Sequence, residues 1–122
     1  MKKDFEVRFY ESLLEENPNF VGALVALGDT YTKRKFYHKG LEIDQRLASL
    51  RPEDPVIRYN LACSLCLTGL VEESLKSLKL AVLLGYDDFS YILKDRDLKK
   101  LRDTAEFKDF FSKLERFSKE NV

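Results

Sequence analysis

An internal repeat with a period of 34 residues runs through this chain. Pro18 and Pro52 stand 34 positions apart, and the same offset relates apolar residues to apolar ones and small residues to small ones. The related pairs are Leu27 with Leu61, Gly28 with Ala62, Tyr31 with Leu65, Gly40 with Ser74, and Leu47 with Ala81. A fixed period of this length is typical of a solenoid, whose units cannot bury their apolar faces alone and therefore stack.

Each unit of the repeat is predicted to be a pair of helices. Apolar residues recur at helical spacing, and no sustained alternation of the kind that marks strands is present in the sequence. Asp54 and Pro55 predict a helix start, while Gly69 and Gly85 suit the left-handed backbone that follows a helix end. The predicted helices cover residues 4–16, 20–34, 36–50, 55–68 and 71–84. The sequence therefore predicts an all-α protein.

The repeat also carries a family resemblance. The motif Leu24-x-x-Leu27-Gly28-x-x-Tyr31 resembles the first-helix pattern of the tetratricopeptide-repeat (TPR) family, with Leu24 where the family usually has Trp. Gly40 stands at the small-residue position of the second helix. The resemblance is to small, bacterial-type TPR proteins. It implies a TPR-like α-solenoid of antiparallel helix pairs, wound into a right-handed superhelix.

Two positions depart from the family pattern. Asp44 stands where the family prefers an aromatic residue, and Tyr86 stands where the second unit would close with a proline, as Pro52 closes the first. These departures leave the packing angles open but not the architecture. Residues 1–122 are predicted to form a single domain, with a half-repeat at 1–18, repeats at 19–52 and 53–86, and a C-terminal cap at 87–122.

The last helix is predicted to cover the end of the stack. Its apolar residues fall at helical spacing, and the favoured interpretation makes them core, whereas the alternative is an exposed aromatic face for a partner. Those residues are Phe107, Phe110, Phe111, Leu114 and Phe117. The run from Asp103 to Glu106 is typical of a capping box with Asp103 as the N-cap residue.

Composition excludes several functional classes. The 21 basic and 21 acidic residues give a net charge of zero, so no overall field favours nucleic acid or an anionic membrane. No apolar run is long enough for a membrane span, and the first residues do not form a signal peptide. Two cysteines make no disulfide framework, which favours a reducing, cytoplasmic setting. A single histidine and five scattered glycines offer no catalytic set or phosphate loop, so neither an enzyme nor a cofactor is expected.

The pair Cys63-x-x-Cys66 is the one motif that suggests chemistry. A structural zinc would need two further ligands, and His38 is the only other good candidate. A redox pair prefers a helix start, whereas these cysteines fall in the middle of a predicted helix. We therefore expect them to be small residues lining a groove, with no metal bound.

The family resemblance implies a binding surface. In TPR proteins the first helices of successive repeats line a concave groove for a peptide or helix of a partner. Carried over by register, this groove would hold Val25, Asp29, Thr32, Lys33, Val56, Tyr59, Asn60, Cys63 and Leu67. The predicted groove is partly apolar and contains one acidic residue, Asp29. Val25 and Asp29 stand where one subfamily grips a C-terminal carboxylate, so such tails are not expected to bind.

A second binding hypothesis concerns the first helix. Phe5, Phe9 and Tyr10 are predicted to leave an apolar patch that forms a homodimer or docks on a larger partner. The alternative is a polar outer face with scattered apolar residues. The function is therefore predicted to be a non-catalytic protein-interaction module or adaptor, or else a structural assembly protein. The identity of the partner stays open.

Overall fold

The protein is represented by a computed structural model that describes residues 2–120, and all regular structure within them is helical. The long helices are α1 (Lys2–Glu16), α2 (Val21–Lys33), α3 (Tyr37–Leu50), α4 (Pro55–Leu67) and α5 (Val71–Leu83). Three shorter elements follow, α6 (Phe89–Ile92), a 3₁₀ turn (Arg96–Leu98) and α7 (Lys99–Arg102), and then α8 (Ala105–Glu120). The predicted helices agree with α1 to α5 to within two residues at either end. None of the helices in residues 2–120 has the length and apolar character needed to cross a membrane.

The helices pack in chain order. Each of α1 to α4 packs on the helix that follows it, so that α2 and α3 fill residues 19–52 while α4 and α5 fill residues 53–86. Packing between neighbours along the chain is what distinguishes a solenoid from a globular bundle. The predicted all-α solenoid is therefore confirmed.

Turn residues set the ends of the helices where the sequence predicted them. The Asp54 carboxylate accepts hydrogen bonds from the backbone N–H groups of Val56 and Ile57, at 2.9 and 3.1 Å, and so caps α4. Gly69 and Gly85 have φ angles of 86° and 117°. A residue with a side chain would be strained at such angles, whereas glycine adopts them readily. Gly69 lies between α4 and α5 and allows α5 to turn back along α4, whereas Gly85 follows the end of α5.

Small residues let the paired helices approach closely. A Cβ atom added to Gly28 would lie 3.1 Å from Ile43 Cγ2, and one added to Gly40 would lie 3.0 Å from Thr32 Oγ1. In the next unit the hydroxyl of Ser74 donates a hydrogen bond to the backbone oxygen of Ala62 at 2.7 Å. The close approach predicted for these small positions is thus present in both units.

Two apolar clusters form the core. The first joins α2, α3 and α4 through residues such as Leu24, Leu47 and Leu61. The second joins α4 and α5 to the C-terminal part of the chain and includes Leu78, Ile92 and residues of α8. We call residues 89–102, which carry α6, the 3₁₀ turn and α7, the connector. Because Ile92, Leu98 and Leu101 are fully buried, the connector is held firmly against α4 and α5.

Helix α8 covers the second cluster with part of its aromatic stripe. Phe107, Phe111 and Leu114 are buried, and Phe110 is half-buried, whereas Phe117 is 63% exposed. The prediction that Phe117 belongs to the core is wrong. At 3.6 residues per turn, Phe117 lies to one side of the face that the three buried residues share.

The start of α8 also differs from the prediction. Thr104, not Asp103, is its N-cap residue, since the Thr104 hydroxyl accepts a hydrogen bond from the backbone N–H of Phe107 at 3.1 Å. Asp103 instead pairs with Lys99 on the surface at 3.3 Å. Glu106 is then the second residue of the helix, one position too early to complete a capping box.

Candidate functional site

A concave cavity of about 420 Å³, partly open to solvent, lies between α2, α4 and the connector. Helix α2 forms one wall, α4 forms the floor, and the connector forms the opposite wall. Residues of α3 reach the cavity from behind the floor. The solenoid thus provides the concave surface, and the connector narrows it to a defined pocket.

The structure brings six of the nine predicted groove residues together around this cavity. They are Val25, Asp29, Thr32, Tyr59, Asn60 and Cys63. The other three do not line it. The Lys33 ammonium forms an ion pair with Asp29 at 2.9 Å. Val56 is exposed in the first turn of α4, and Leu67 is half-buried at the end of α4. The binding role of all nine residues stays a prediction.

The charge of the cavity differs from the expectation of a single acid. Four carboxylates line it, those of Asp29, Asp44, Asp95 and Asp97, and no basic residue in the described part of the chain does so. Asp44 stood out in the sequence as a departure from the repeat pattern. Asp95, Asp97 and the neighbouring Tyr91 were missed, because they belong to the connector, which was predicted only as part of a cap.

A buried hydrogen-bond network joins the connector to the floor of the cavity. The Tyr59 hydroxyl donates to Asp95 Oδ2 at 2.6 Å, and the Cys63 thiol donates to the same oxygen at 3.6 Å. The backbone N–H of Asp97 donates to Asp95 Oδ1 at 3.0 Å. The Arg102 guanidinium donates to the backbone oxygens of Ile92 and Asp95 and so holds the connector's loop in place.

Burial determines the protonation of this network. The pKa of Tyr59 is raised, first by burial and then by nearby Cys63 and Asp95, and the Tyr86 ring stacks parallel to it at 4.2 Å. Burial, with the charges of Asp95 and Asp97, also raises the pKa of the Cys63 thiol well above its usual value. Both groups therefore keep their protons and act as hydrogen-bond donors to Asp95.

Asp44 is a buried carboxyl on the helix behind the floor. It is only 8% exposed, and the Ser64 hydroxyl of α4 donates a hydrogen bond to its Oδ2. Burial raises the pKa of Asp44 to about 6, although the Ser64 hydrogen bond acts in the opposite direction. The pair takes the place of the apolar contact that an aromatic residue would make between α3 and α4.

The cysteines occupy different environments. Cys63 lines the cavity, where its sulfur and carboxylate oxygens of Asp95 and Asp97 lie within 4.8 Å of one another. Cys66 is buried in the core cluster, and burial raises the pKa of its thiol. A metal would require the Cys63 thiolate, which this environment disfavours, and the thiol already serves the network as a donor. The geometry therefore fits a structural hydrogen-bonded unit better than a metal centre.

The aromatic residues of α1 form a second surface. Phe5 and Phe9 are 65% and 50% exposed, and their rings stack with centroids 6.2 Å apart. Tyr10 is half-buried and meets Phe9 edge-on at 5.5 Å, beside a smaller cavity between α1 and α2. Two of the three predicted residues thus share an exposed face, and Tyr10 lies at its edge.

Comparison with known proteins bears on the fold. No family model matches the chain. A chloroplastic protein of Arabidopsis thaliana is 33% identical over 83 residues, which is 66% of this chain, and the match spans only 25% of that protein's length. The solved structure "MamA MSR-1 C2", of a TPR-containing protein, superposes with a TM-score of 0.74 and 18% identity over 99% of this chain and 70% of the other. Because the helix pairs, the small residues between them and this superposition agree, the chain has the TPR fold.

Proposed function

We propose that this chain is a non-catalytic protein-interaction module that binds a segment of a partner protein in the cavity between α2, α4 and the connector. The observation that carries the proposal is the cavity itself, which lies where a TPR-like solenoid is concave. Its volume of about 420 Å³ suits a few side chains of an extended peptide better than a whole domain.

The lining supplies the contacts that such a segment needs. Asn60 is exposed on the floor, and its side-chain amide can donate to and accept from the backbone of a bound peptide. Val25 and Tyr91 contribute exposed apolar surface to opposite walls, on α2 and the connector. Binding would bury this surface, while the network below holds the floor rigid and so lowers the entropic cost of binding.

The same groups argue against catalysis in this cavity. The Cys63 thiol keeps its proton, which makes it a poor nucleophile, and the Tyr59 hydroxyl is committed to Asp95. His38, the only histidine of the chain, is not among the residues that line the cavity. An interaction role therefore accounts for the site better than an enzymatic one.

Peptide selection tests the proposal. We expect a displayed library of short random peptides to yield binders, and Val25→Ala together with Asn60→Ala to weaken them about tenfold by removing apolar and amide contacts. Glu115→Ala on exposed α8 serves as the control. Tyr59 is unsuitable for substitution by alanine because it is only 4% exposed. Binders that are insensitive to both cavity substitutions, or none at all, would contradict the proposal.

A second candidate function is association through the aromatic surface of α1. Phe5 and Phe9 are both exposed and stacked, which favours contact with another apolar surface. We expect sedimentation or light scattering to show a homodimer that Phe5→Ala with Phe9→Ala dissociates. Phe117→Ala removes an equally exposed ring from α8 and is the matched control. A monomer at every concentration tested would rule out self-association by this face.

A further inference from the structure

The cavity is strongly acidic although the chain as a whole is neutral. The chain carries 21 basic and 21 acidic residues, yet among the described residues that line the cavity there are four aspartates and no lysine, arginine or histidine. A concave site with walls of low dielectric concentrates the field of its charges. The cavity therefore attracts cations and repels carboxylates.

Two of the four carboxylates are already occupied by neighbours. Asp44 accepts a hydrogen bond from the hydroxyl of Ser64. Asp95 accepts hydrogen bonds from the Tyr59 hydroxyl, the Cys63 thiol and the backbone N–H of Asp97. These contacts occupy both carboxylate oxygens of Asp95 and Oδ2 of Asp44, and both residues are buried. Asp44 and Asp95 therefore contribute negative charge to the cavity rather than direct contacts to a ligand.

Asp97 differs from them. Its carboxylate is half-buried beside Asp95, and no residue in 2–120 donates a hydrogen bond to it. Burial, with the neighbouring charge of Asp95, raises the pKa of Asp97, and Arg96 only partly offsets this effect. A cation placed here would relieve the repulsion between two adjacent carboxylates.

Asp29 and Tyr91 complete the arrangement. The only ion pair of Asp29 in the described part of the chain is with Lys33 one turn along α2, and both side chains are largely exposed, so the pair is weak and easily exchanged. The Tyr91 ring is exposed at the opposite wall and offers an aromatic surface on which a cationic side chain can rest.

We infer that the partner segment bound in this cavity is basic, and that a lysine or arginine side chain enters it to meet Asp97 and Asp29 beside the ring of Tyr91. This inference rests on the proposed function and specifies the chemistry of its ligand. It favours cationic segments over acidic tails, because an incoming carboxylate would face four aspartates without a basic residue on the described lining.

The test uses peptides selected on the wild-type protein from a displayed random library and measured in the presence of EDTA, so that no metal bridges the carboxylates. We expect the selected peptides to be rich in lysine and arginine. Replacing the cationic residue of a selected peptide by glutamine is expected to weaken binding about tenfold, and Asp97→Asn with Asp29→Asn in the protein to do the same. Added salt is expected to weaken binding as well.

Asp109→Asn is the matched control variant. Asp109 pairs with Lys113 one turn along α8 as Asp29 pairs with Lys33, with similar exposure, but it lies outside the cavity. Binding by this variant is expected to equal that of the wild type. Far-ultraviolet circular dichroism is used to check that each variant is folded.

Two outcomes would overturn the inference, and they are distinguishable. Selected peptides that lose affinity with Val25→Ala and Asn60→Ala, yet lack basic residues and tolerate Asp97→Asn, would overturn the basic ligand and leave the proposed function intact. Absence of any peptide that depends on the cavity would overturn both.

Discussion

The hydroxyl of Tyr59 donates a hydrogen bond to Asp95 Oδ2 at 2.6 Å, across 36 positions of sequence. Tyr59 lies on the floor helix α4 and Asp95 on the connector, and both are buried. Breaking a hydrogen bond between two buried groups leaves a polar atom without a partner, which costs more than losing a hydrogen bond at the surface. This contact therefore fixes the connector as a wall of the cavity.

Replacing Tyr59 by phenylalanine removes the hydroxyl and leaves the ring. We expect Tyr59→Phe to lower the free energy of unfolding by about 1.5–3 kcal/mol, because a buried carboxylate loses a donor. Urea denaturation followed by circular dichroism measures the change. Tyr91→Phe is the control, since Tyr91 is exposed and its hydroxyl makes no hydrogen bond within residues 2–120. Equal effects of the two substitutions would show that the Asp95 contact contributes nothing specific.

Asp44 predicts a pH dependence of stability. Its pKa is raised from 3.8 to about 6 in the folded protein, so the folded state binds the proton more tightly than the unfolded state. The stability contributed by protonated Asp44 is complete below the unfolded value and is lost as pH rises through the folded value. We expect Asp44→Asn to gain stability relative to wild type, by up to about 3 kcal/mol, between about pH 4 and about pH 7.

Thermal unfolding of the Asp44→Asn variant and the wild type across this pH range measures the effect. Asp109→Asn changes an exposed aspartate in the same way and is expected to show no such gain. A constant difference between Asp44→Asn and the wild type at all pH values would contradict the raised pKa of Asp44.

The stripe of α8 predicts contrasting effects of two similar substitutions. Phe111 is buried in the second core cluster, so Phe111→Ala is expected to destabilise the protein by about 3–5 kcal/mol. Phe117→Ala on the same helix is expected to cost less than about 1 kcal/mol, because the Phe117 side chain is already largely in water. Denaturant titration of both variants decides whether α8 covers the end of the solenoid as described.

The two cysteines are expected to react slowly with thiol reagents. Both are buried and have raised pKa values, so the reactive thiolate is scarce and inaccessible. Labelling by a chromogenic disulfide should be slow in native buffer and complete once denaturant unfolds the protein. Rapid labelling of Cys63 in the native state would show that the network around Asp95 opens readily.

Much of the fold could be predicted because its signals are local. The cap formed by Asp54 and the left-handed backbone at Gly69 depend on stereochemistry within a few residues. The repeat added the pairing of helices, since Gly28 and Gly40 indicate where two backbones must come close. The burial of the aromatic residues of α8 was predicted less well. Helical spacing shows which residues share a face, but it does not show how much of that face the neighbouring helices cover, and Phe117 lies outside the covered part.

The cavity could be predicted only on the side that the repeat forms. Val25, Asp29 and Asn60 were predicted because the resemblance to TPR proteins, carried over by helix register, implies a groove lined by the first helices of the repeats. The other wall depends on where the connector reverses and packs, and no periodic signal relates Asp95 to Tyr59. Their meeting results from the burial of Ile92, Leu98 and Leu101 against α4 and α5, a packing between distant parts of the chain. Local spacing thus specifies the solenoid, while long-range packing makes its concave face an acidic pocket.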